Sequence, residues 1–412
     1  MGKKILCLAL VMAVAVTMFA FPAGASDSKW AGWIKISTPE ELSKISSGNN
    51  YYLTNDINLK DYGLWQPIYS FMGTLDGNGY AIRNLTSTRG GLFRELGAVG
   101  ANSGDATIKN LGLINVDVMC DGDVGALANT YGRTVTIENC YVTGKVVNSS
   151  SSSYAGGFFG RDSFWSNTLS LKNCYNKASV TSKFGAGGII GNGRGYSLVN
   201  CINEGAITGD SEFVGGIAGH LRGSRVNNSY NFGAVKSTNS SKVYIAGGLV
   251  GTAGSGANVS NSATTGKTAV GYALDGSHTS QIKTNVPRDD FKKQETYVGF
   301  NFDRVWYIHP KVNNGYPILR TMMRLYDIPD DNSDSKAATA LRITINLKVG
   351  DTLQLGAALN PSDSTDSVKY NSNTTSVATV NSSGLVTAKA KGTATVTVTA
   401  GGVSQRVNIR VT

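Results

Sequence analysis

A short phrase recurs seven times between residues 82 and 261: an apolar residue, one variable residue, then Asn. The copies end at Asn84, Asn110, Asn139, Asn173, Asn200, Asn228 and Asn261. The steps between these Asn residues are 26, 29, 34, 27, 28 and 33 residues. A period near thirty residues, sustained this long, predicts a solenoid built from stacked coils.

Two further segments recur with the same period. One is a Gly pair or Gly-Ala within an apolar run, with copies at Gly90, Gly125, Gly156, Gly187, Gly215 and Gly247. The other is a short Val- or Ile-bearing segment, with copies at Val116, Val146, Val180, Ile207 and Val235. Three short strands in each turn, with β-branched residues alternating with polar ones, predict an all-β fold, a right-handed parallel β-helix.

The repeated Asn is expected at a corner of each coil, because Asn tolerates the left-handed backbone region better than other non-Gly residues. Like residues stack about 4.8 Å apart between coils, so the Asn amides should hydrogen-bond along the stack. Cys140, Cys174 and Cys201 each follow a repeat Asn. We expect them to form an interior column of buried free thiols rather than disulfides.

Residues 1–25 have the pattern of an export signal. Lys3 and Lys4 precede an apolar stretch, and Ala23-Gly24-Ala25 offers a small-residue cleavage site. Loss of the two lysines lowers the formal net charge from +10 to +8, a basic balance that suits anionic partners. No second long apolar run follows, so we expect a secreted or extracellular protein without a transmembrane segment, either released or retained at a cell wall.

Both ends of a solenoid need a cap to cover unpaired strand edges. At the N-terminal end, Thr38-Pro39-Glu40-Glu41 predicts a capping box with Pro at the first helical position. At the other end, residues 297–319 are rich in aromatic side chains and predict a hydrophobic plug over the last coil. A sugar-stacking platform is the alternative interpretation of these aromatics.

The C-terminal part has a different pattern. Residues 321–339 are polar and acidic and predict a linker between a β-helix at 26–320 and a last domain at 340–412. Within that last domain, short alternating strands are predicted at 341–345, 351–355, 377–380, 392–398 and 407–411. This pattern predicts a small β-sandwich.

Two family resemblances follow from these motifs. The phrase Gly247-Gly248-Leu249-Val250-Gly251 and its copies resemble the GLUG repeats of bacterial surface proteins, including the non-catalytic part of some IgA-cleaving metalloproteases. The segments 349–352, 376–380 and 383–388 resemble the bacterial Ig-like domain of invasin and intimin, with Tyr370 where that family often has Trp. Both resemblances imply an exported surface or adhesive protein, and neither implies a known ligand.

The sequence does not predict an enzyme. The histidines His220, His278 and His309 are isolated, and no pair has the helical spacing of a zinc protease. Acidic residues do not recur at one position of adjacent coils, as two carboxyl groups facing one cleft would require. Asp76-Gly77-Asn78-Gly79 and Asp121-Gly122-Asp123 are interpreted as turns rather than calcium loops. We predict no catalytic residue, metal, cofactor or nucleic-acid partner.

One set of residues predicts a binding site. An Arg follows the Gly phrase in five consecutive coils, at Arg94, Arg133, Arg161, Arg194 and Arg222, with Arg225 nearby. We select Arg133, Arg161, Arg194 and Arg222 as a basic edge, because Arg suits phosphate and carboxylate groups; the alternative is a solvated turn with incidental cations. The predicted function is non-catalytic binding of a glycan, an anionic cell-wall polymer or a host surface protein, partly through the irregular insertions 148–154 and 238–244. A rigid spacer and a glycan-processing β-helix enzyme remain the alternatives.

Overall fold

The computed structural model describes residues 28–97, 104–162, 168–239, 246–326, 328, 343–355, 367–400 and 403–412. The chain divides into a unit of Asp27–Asn332 and a second unit that contains Ser333–Thr412, and each is described by itself. The predicted export signal at 1–25 lies outside the described residues. Within the described ranges, no helix has both the length and the apolar character needed to cross a membrane.

The first unit is a parallel β-helix. Its described strands form four parallel sheets along the stack, named sheets 1 to 4 in the order in which a coil visits them. Sheet 1 contains Ile34–Ile36, Asn49–Leu53, Gly73–Asp76, Ala106–Lys109, Thr134–Glu138, Thr168–Lys172, Tyr196–Val199, Arg225–Asn227, Asn258–Ser260 and His278–Ser280. Sheet 2 contains Ile57–Asn58, Ala81–Arg83, Thr86–Ser87, Gly112–Cys120, Tyr141–Asn148, Tyr175–Asn176, Ser179–Ser182, Ile202–Asn203, Ile207–Gly209, Tyr230–Asn231, Val235–Ser237 and Ala263–Thr264.

The two remaining sheets contain the Gly phrases. Sheet 3 contains Val124–Gly125, Tyr154–Gly156, Gly185–Gly187 and Val214–Gly215. Sheet 4 contains Phe93–Leu96, Ala128–Tyr131, Phe159–Asp162, Ile190–Arg194, Ala218–Arg222, Val250–Ala253 and Val270–Ala273. The predicted all-β parallel β-helix is therefore confirmed.

The number of strands in a coil differs from the prediction of three. Residues 168–194, for example, contribute five strands: one to sheet 1, two to sheet 2 and one each to sheets 3 and 4. The additional strands, such as Tyr175–Asn176 and Gly185–Gly187, are only two or three residues long. Strands this short, in part Gly-rich, do not show the apolar alternation by which a strand is recognised in a sequence.

The core consists of in-register columns. Val118, Val146, Val180, Ile207 and Val235 pair successively in sheet 2. The predicted thiol column is also confirmed: the cysteines at 140, 174 and 201 are free and buried, whereas Cys120 is free and half-buried. Burial raises the pKa of Cys140 to about 12, so the thiol stays protonated at neutral pH.

All seven repeat Asn residues have φ between 47° and 59°, as expected for a corner, and six of them share one corner of the stack. Asn110, Asn139, Asn173, Asn200, Asn228 and Asn261 have φ between 47° and 55°, in the left-handed region. Asn139 Nδ2 donates to Asn110 Oδ1 at 3.1 Å, and Asn173 and Asn200 continue this ladder at 3.1 and 3.2 Å. The ladder stops at Asn200: its Nδ2 also donates to the Gly299 carbonyl, and its Oδ1 is buried without a hydrogen-bond partner.

Asn84 does not belong to this column, and its assignment was wrong. Its strand, Ala81–Arg83, pairs with residues 112–114 in sheet 2, so Asn84 stacks between Asn58 and Asn115 at the next corner. Asn110 Nδ2 instead donates to Asp76 Oδ1, at the end of the preceding sheet 1 strand. The 26 residues between Asn84 and Asn110 are close to the repeat period, although these two Asn residues lie at different corners of the coil.

The N-terminal cap is confirmed. The α-helix Pro39–Ser43 has Thr38 as N-cap, and the reciprocal hydrogen bonds between Thr38 and Glu41 complete the capping box. Leu42 is fully buried and anchors the helix in the core. The turn interpretation of Asp76-Gly77-Asn78-Gly79 is also confirmed, because Asn78 N donates to Asp76 Oδ1 at 2.8 Å.

The predicted plug over the last coil is wrong. The return segment, residues 286–326, runs back along the outer face of sheet 2. It packs on a column that includes Tyr141, Tyr175 and Tyr230. Val298 N donates to Tyr230 Oη, and farther back Thr321 Oγ1 donates to the Asn139 carbonyl.

The return segment contains 3₁₀ helices and one small hairpin. The helices are Arg288–Lys292, Gln294–Thr296, Asn313–Gly315 and Arg320–Tyr326; a further one, Ser28–Trp30, precedes sheet 1. Trp306–Tyr307 pairs antiparallel with Ile318–Leu319. Tyr297, Trp306 and Tyr316 are buried against the solenoid, so these rings do not form the alternative sugar platform. Residues 321–326, expected in the linker, are part of this packed segment.

The second unit contains two small sheets. One joins Ile343–Leu347, Val403–Val411, Gly392–Ala400 and Lys369–Ser372, and the other joins Thr352–Gln354, Leu385–Ala388 and Ala378–Val380. Its core includes Val386, Val396 and Ile409, with Tyr370 packed at its edge. The sandwich pattern predicted for the last domain is present.

Candidate functional site

A crease runs along the outside of the solenoid where sheet 3 meets sheet 4. Its floor is the last Gly of each Gly-Gly phrase: Gly160, Gly191, Gly219 and Gly251. A Cβ on Gly160 would lie 2.3 Å from Val124 N, and a Cβ on Gly251 would lie 2.3 Å from Val214 N. Only Gly allows the two sheets to approach this closely, so the phrase creates the crease.

Side chains from the two sheets meet across this floor. Arg161 Nε in sheet 4 lies 3.3 Å from Asp123 Oδ2, next to the first strand of sheet 3. Two coils farther on, the His220 ring stacks on Phe213 with centroids 4.7 Å apart. The walls of the crease are thus built from a charged pair and an aromatic pair.

Two of the predicted Arg residues form a stacked pair beside the crease. Arg194 and Arg222 end neighbouring strands of sheet 4 and pair in register. Arg222 Nη2 donates to Asn192 Oδ1 at 3.5 Å, while Arg222 Nε is buried without a hydrogen-bond partner. Burial raises the pKa of Asp162, and the positive charges of Arg222, Arg161 and Arg194 oppose this rise. Asp162 and the three guanidinium groups therefore lie close enough to influence one another.

His220 lies on the same outer face as this pair, because it precedes Arg222 by two residues on one strand. Both of its ring nitrogens are buried and have no hydrogen-bond partner. Burial, together with the charges of Arg222 and Arg194, lowers the pKa of His220 to about 4. The ring is consequently neutral at neutral pH and able to donate and accept one hydrogen bond.

The other two predicted Arg residues are not in line with this pair. Arg133 lies at a corner before sheet 1 with φ of 53°, and its Nε is 3.3 Å from Asp105 Oδ1. Arg161 is in register with Asn192, two residues before the Arg194 position, and is paired with Asp123. Of the four residues, only Arg194 and Arg222 form a continuous column. Whether they bind a ligand stays a prediction.

Toward the N-terminal end, the crease widens into a groove of about 740 Å³. It is lined by Gln66, Pro67, Tyr69, Thr88, Arg89, Arg94, Glu95, Cys120, Asp121, Gly122, Asp123, Asn129 and Thr130. Among the described residues, no group of three or more His, Cys, Asp and Glu side chains is arranged to hold a metal ion. The bend at Asp121-Gly122-Asp123 joins sheet 2 to sheet 3, as expected for a turn.

Several residues of the crease were missed by sequence reasoning, among them Asp123, Phe213 and His220. The positions of Asp123 and Phe213 can be found in the sequence, because each lies two residues before the first Gly of its Gly phrase. Tyr154 and Gly185 hold the same position in the two coils between them. The predicted insertion at 148–154 forms a turn and enters sheet 3 at Tyr154. Most of the insertion at 238–244 lies outside the described residues.

Comparisons with known proteins agree with this architecture. Residues 337–411 match the family Bacterial Ig-like domain (group 2). A stretch of 102 residues is 35% identical to halomucin of Haloquadratum walsbyi; it is 24% of this chain and 1% of halomucin. The chain thus spans about one hundredth of that protein's length.

Solved structures give a likeness of fold. A Bacteroides ovatus protein named an immunoglobulin A1 protease is similar with a TM-score of 0.53 and 20% identity, over 70% of this chain and 92% of that chain. A structure named IgA1 Protease aligns over 60% of this chain and 21% of its own, with 19% identity and a TM-score of 0.45, too weak to carry an argument. The chain combines long parallel sheets with a bacterial Ig-like domain, and the sequence matches favour a surface or extracellular protein.

Proposed function

We propose that this chain is a non-catalytic surface-binding protein that holds an anionic polymer, a phosphate- or carboxylate-bearing glycan or wall polymer, along the crease. The observation that carries this proposal is the in-register pair Arg194 and Arg222 beside the crease. Guanidinium groups bind phosphate and carboxylate in a planar, bidentate manner, and a stacked pair offers successive sites to a repeating polymer.

The surroundings of the pair support an anionic ligand. Arg222 Nε is buried and unpartnered, and both His220 nitrogens lack a hydrogen bond. Asp162 lies close to both residues, because the charges of Arg194 and Arg222 act to lower its pKa against the larger effect of burial. A bound anion would accept the hydrogen bond that the buried Arg222 Nε–H does not make within the protein.

The test compares two variants of the mature chain that lose charge at different places. Arg194→Ser combined with Arg222→Ser should weaken binding to polyglycerol-phosphate teichoic acid by about tenfold or more, since two charge-assisted contacts are removed. Arg225→Ser is the control, because Arg225 is exposed on sheet 1 and lies outside the crease. Binding should also weaken as salt is added. Alginate serves as the carboxylate polymer and dextran as the neutral one.

The outcomes separate binding from the spacer alternative. If Arg225→Ser weakens teichoic-acid binding as much as the paired change, the attraction is a general effect of net charge. If neither anionic polymer binds the wild-type chain, the rigid spacer becomes the better account of the solenoid.

A glycan-processing enzyme is the second candidate, because Glu95, Asp121 and Asp123 line one groove. Burial raises the pKa of Asp123, as a general acid would need, but its Oδ1 accepts from Tyr154 N at 2.8 Å and its Oδ2 faces Arg161. Both oxygens thus join the walls of the crease. We expect incubation with wall glycans to release no new reducing ends, and release that is lost in Asp123→Asn would establish the enzyme instead.

A further inference from the structure

The floor of the crease changes toward the N-terminal end. The pairing of the sheet 4 strands aligns Arg94 and Asn129 with Gly160 and Gly191 of the later coils. Asn129 is held in place, because its Oδ1 accepts from Gly91 N at 3.1 Å. Side chains in place of floor glycines keep the walls apart, and the crease opens into the 740 Å³ groove.

An exposed ring stands beside this opening. Tyr69 is 73% exposed, the highest value among the large hydrophobic side chains of the described residues. The flanking residues Ile68 and Phe71 form parallel bridges to sheet 4, so the ring is carried by anchored backbone. The Arg94 guanidinium carbon lies 5.2 Å from the centroid of Tyr69, over one face of the ring.

Planar polar groups surround the ring. Arg89 Nη1 donates to Gln66 Oε1 at 3.2 Å, and the Arg89 carbonyl accepts from Asn129 Nδ2 at 3.0 Å. Glu95 and Asp121 add carboxylates to the same lining. Amide, guanidinium and carboxylate groups are the hydrogen-bonding partners that vicinal hydroxyls require, and a tyrosine face packs against sugar C–H groups.

The charges of this groove differ from those around Arg194. Arg89 and Arg94 are balanced by Glu95 and Asp121, and Asp123 is paired with Arg161. A near-neutral groove does not select a polyanion. Its volume lies in the range of sites that bind small ligands.

We propose that this groove, the Tyr69 groove, is a second binding site, and that its ligand is a short uncharged oligosaccharide. One sugar ring stacks on Tyr69, and the neighbouring sugar hydroxyls hydrogen-bond to the Gln66–Arg89 pair and to Asp121. The site stands on residues other than Arg194 and Arg222 and does not depend on binding of the anionic polymer.

The experiment is a titration of the mature chain by calorimetry with chitotriose, maltotriose, mannotriose and β-1,4-galactotriose at millimolar concentrations. At least one of these should bind, and Tyr69→Ala should weaken that binding by about tenfold. Tyr69→Trp should retain it, because the stacking face remains. Tyr272→Ala is the matched control, since Tyr272 is 50% exposed on sheet 4 at the far end of the stack.

The outcomes for the two sites are distinguishable. Tyr69→Ala should leave teichoic-acid binding unchanged, and the paired Arg194 and Arg222 change should leave trisaccharide binding unchanged. Equal thermal midpoints of the variants establish that folding is intact, as expected for an exposed ring. The proposal is overturned if none of the four trisaccharides binds the wild-type chain. It is also overturned if the Tyr69→Ala and Tyr272→Ala variants bind the trisaccharide with the same affinity.

Discussion

A ladder of buried amides inside sheet 2 should contribute strongly to the stability of the solenoid. Asn203 is fully buried, and its Nδ2 donates to Asn231 Oδ1 at 2.8 Å and to the Gly205 carbonyl at 2.9 Å. Its Oδ1 accepts from Asn176 Nδ2 at 2.7 Å. We predict that Asn203→Ala destabilises this part of the stack more than any exposed Asn substitution does.

The expected magnitude follows from these three bonds. Each contributes about 1 kcal/mol net, and loss of one partner leaves polar atoms of Asn176 and Asn231 less well paired where water does not reach. We therefore expect Asn203→Ala to lower the free energy of unfolding by about 3–5 kcal/mol. The control is Asn58→Ala, since Asn58 is exposed although it also accepts two hydrogen bonds, from Asn84 Nδ2 and Lys60 N. That change should cost at most about 1 kcal/mol.

Urea unfolding followed by circular dichroism measures the global effect. Hydrogen exchange of amides 202–206 measures the local one, because a repeat stack can open locally without unfolding throughout. Equal losses of stability in Asn203→Ala and Asn58→Ala would refute the reasoning, since they would mean that the buried ladder is replaced by water or by repacking at no cost.

Two further predictions concern the crease. The pKa of His220 is lowered from 6.5 to about 4, mainly by burial, so its contribution to stability is complete above pH 6.5 and is lost as the pH falls toward 4. This contribution is about 3 kcal/mol. His220→Gln should therefore remove the loss of stability between pH 6.5 and pH 4 that urea unfolding measures for the wild-type chain. If the variant loses as much stability over this pH range as the wild type, the ring is not buried as described. Gly191→Ala should lower the free energy of unfolding by about 2 kcal/mol, because its Cβ would lie 2.6 Å from the Gly160 carbonyl oxygen. Gly122→Ala, whose Cβ meets only Cys120 Sγ at 3.7 Å, should be nearly neutral in the same assay.

The repeat itself was readable from the sequence because stacking imposes the same residue at the same corner. The Asn residues at positive φ and the thiol column follow directly from that rule. Asn84 was misassigned because spacing alone does not distinguish one corner from the next. The interior ladder of Asn176, Asn203 and Asn231 was missed, since a two-residue strand such as Tyr175–Asn176 has no periodicity of its own.

The direction of the return segment was not predictable from composition. Its aromatic residues indicate that the segment is buried, but they do not indicate which surface of the solenoid it packs against. The outward column of Tyr141, Tyr175 and Tyr230 was the missing partner, and it becomes visible only when the coils are aligned. The crease was hidden for a similar reason: its walls, Asp123 with Arg161 and Phe213 with His220, come from different sheets.

The most direct test of the central claim is hydrogen exchange of the chain without residues 1–25, with and without polyglycerol-phosphate teichoic acid. The account predicts protection concentrated in residues 190–194 and 218–222, the strands that carry Arg194 and Arg222, with little change in the sheet 1 strand at 225–227. Protection confined to other sheets or to the C-terminal unit, or no protection at a polymer concentration that saturates binding, would contradict the assignment of the crease as the binding site.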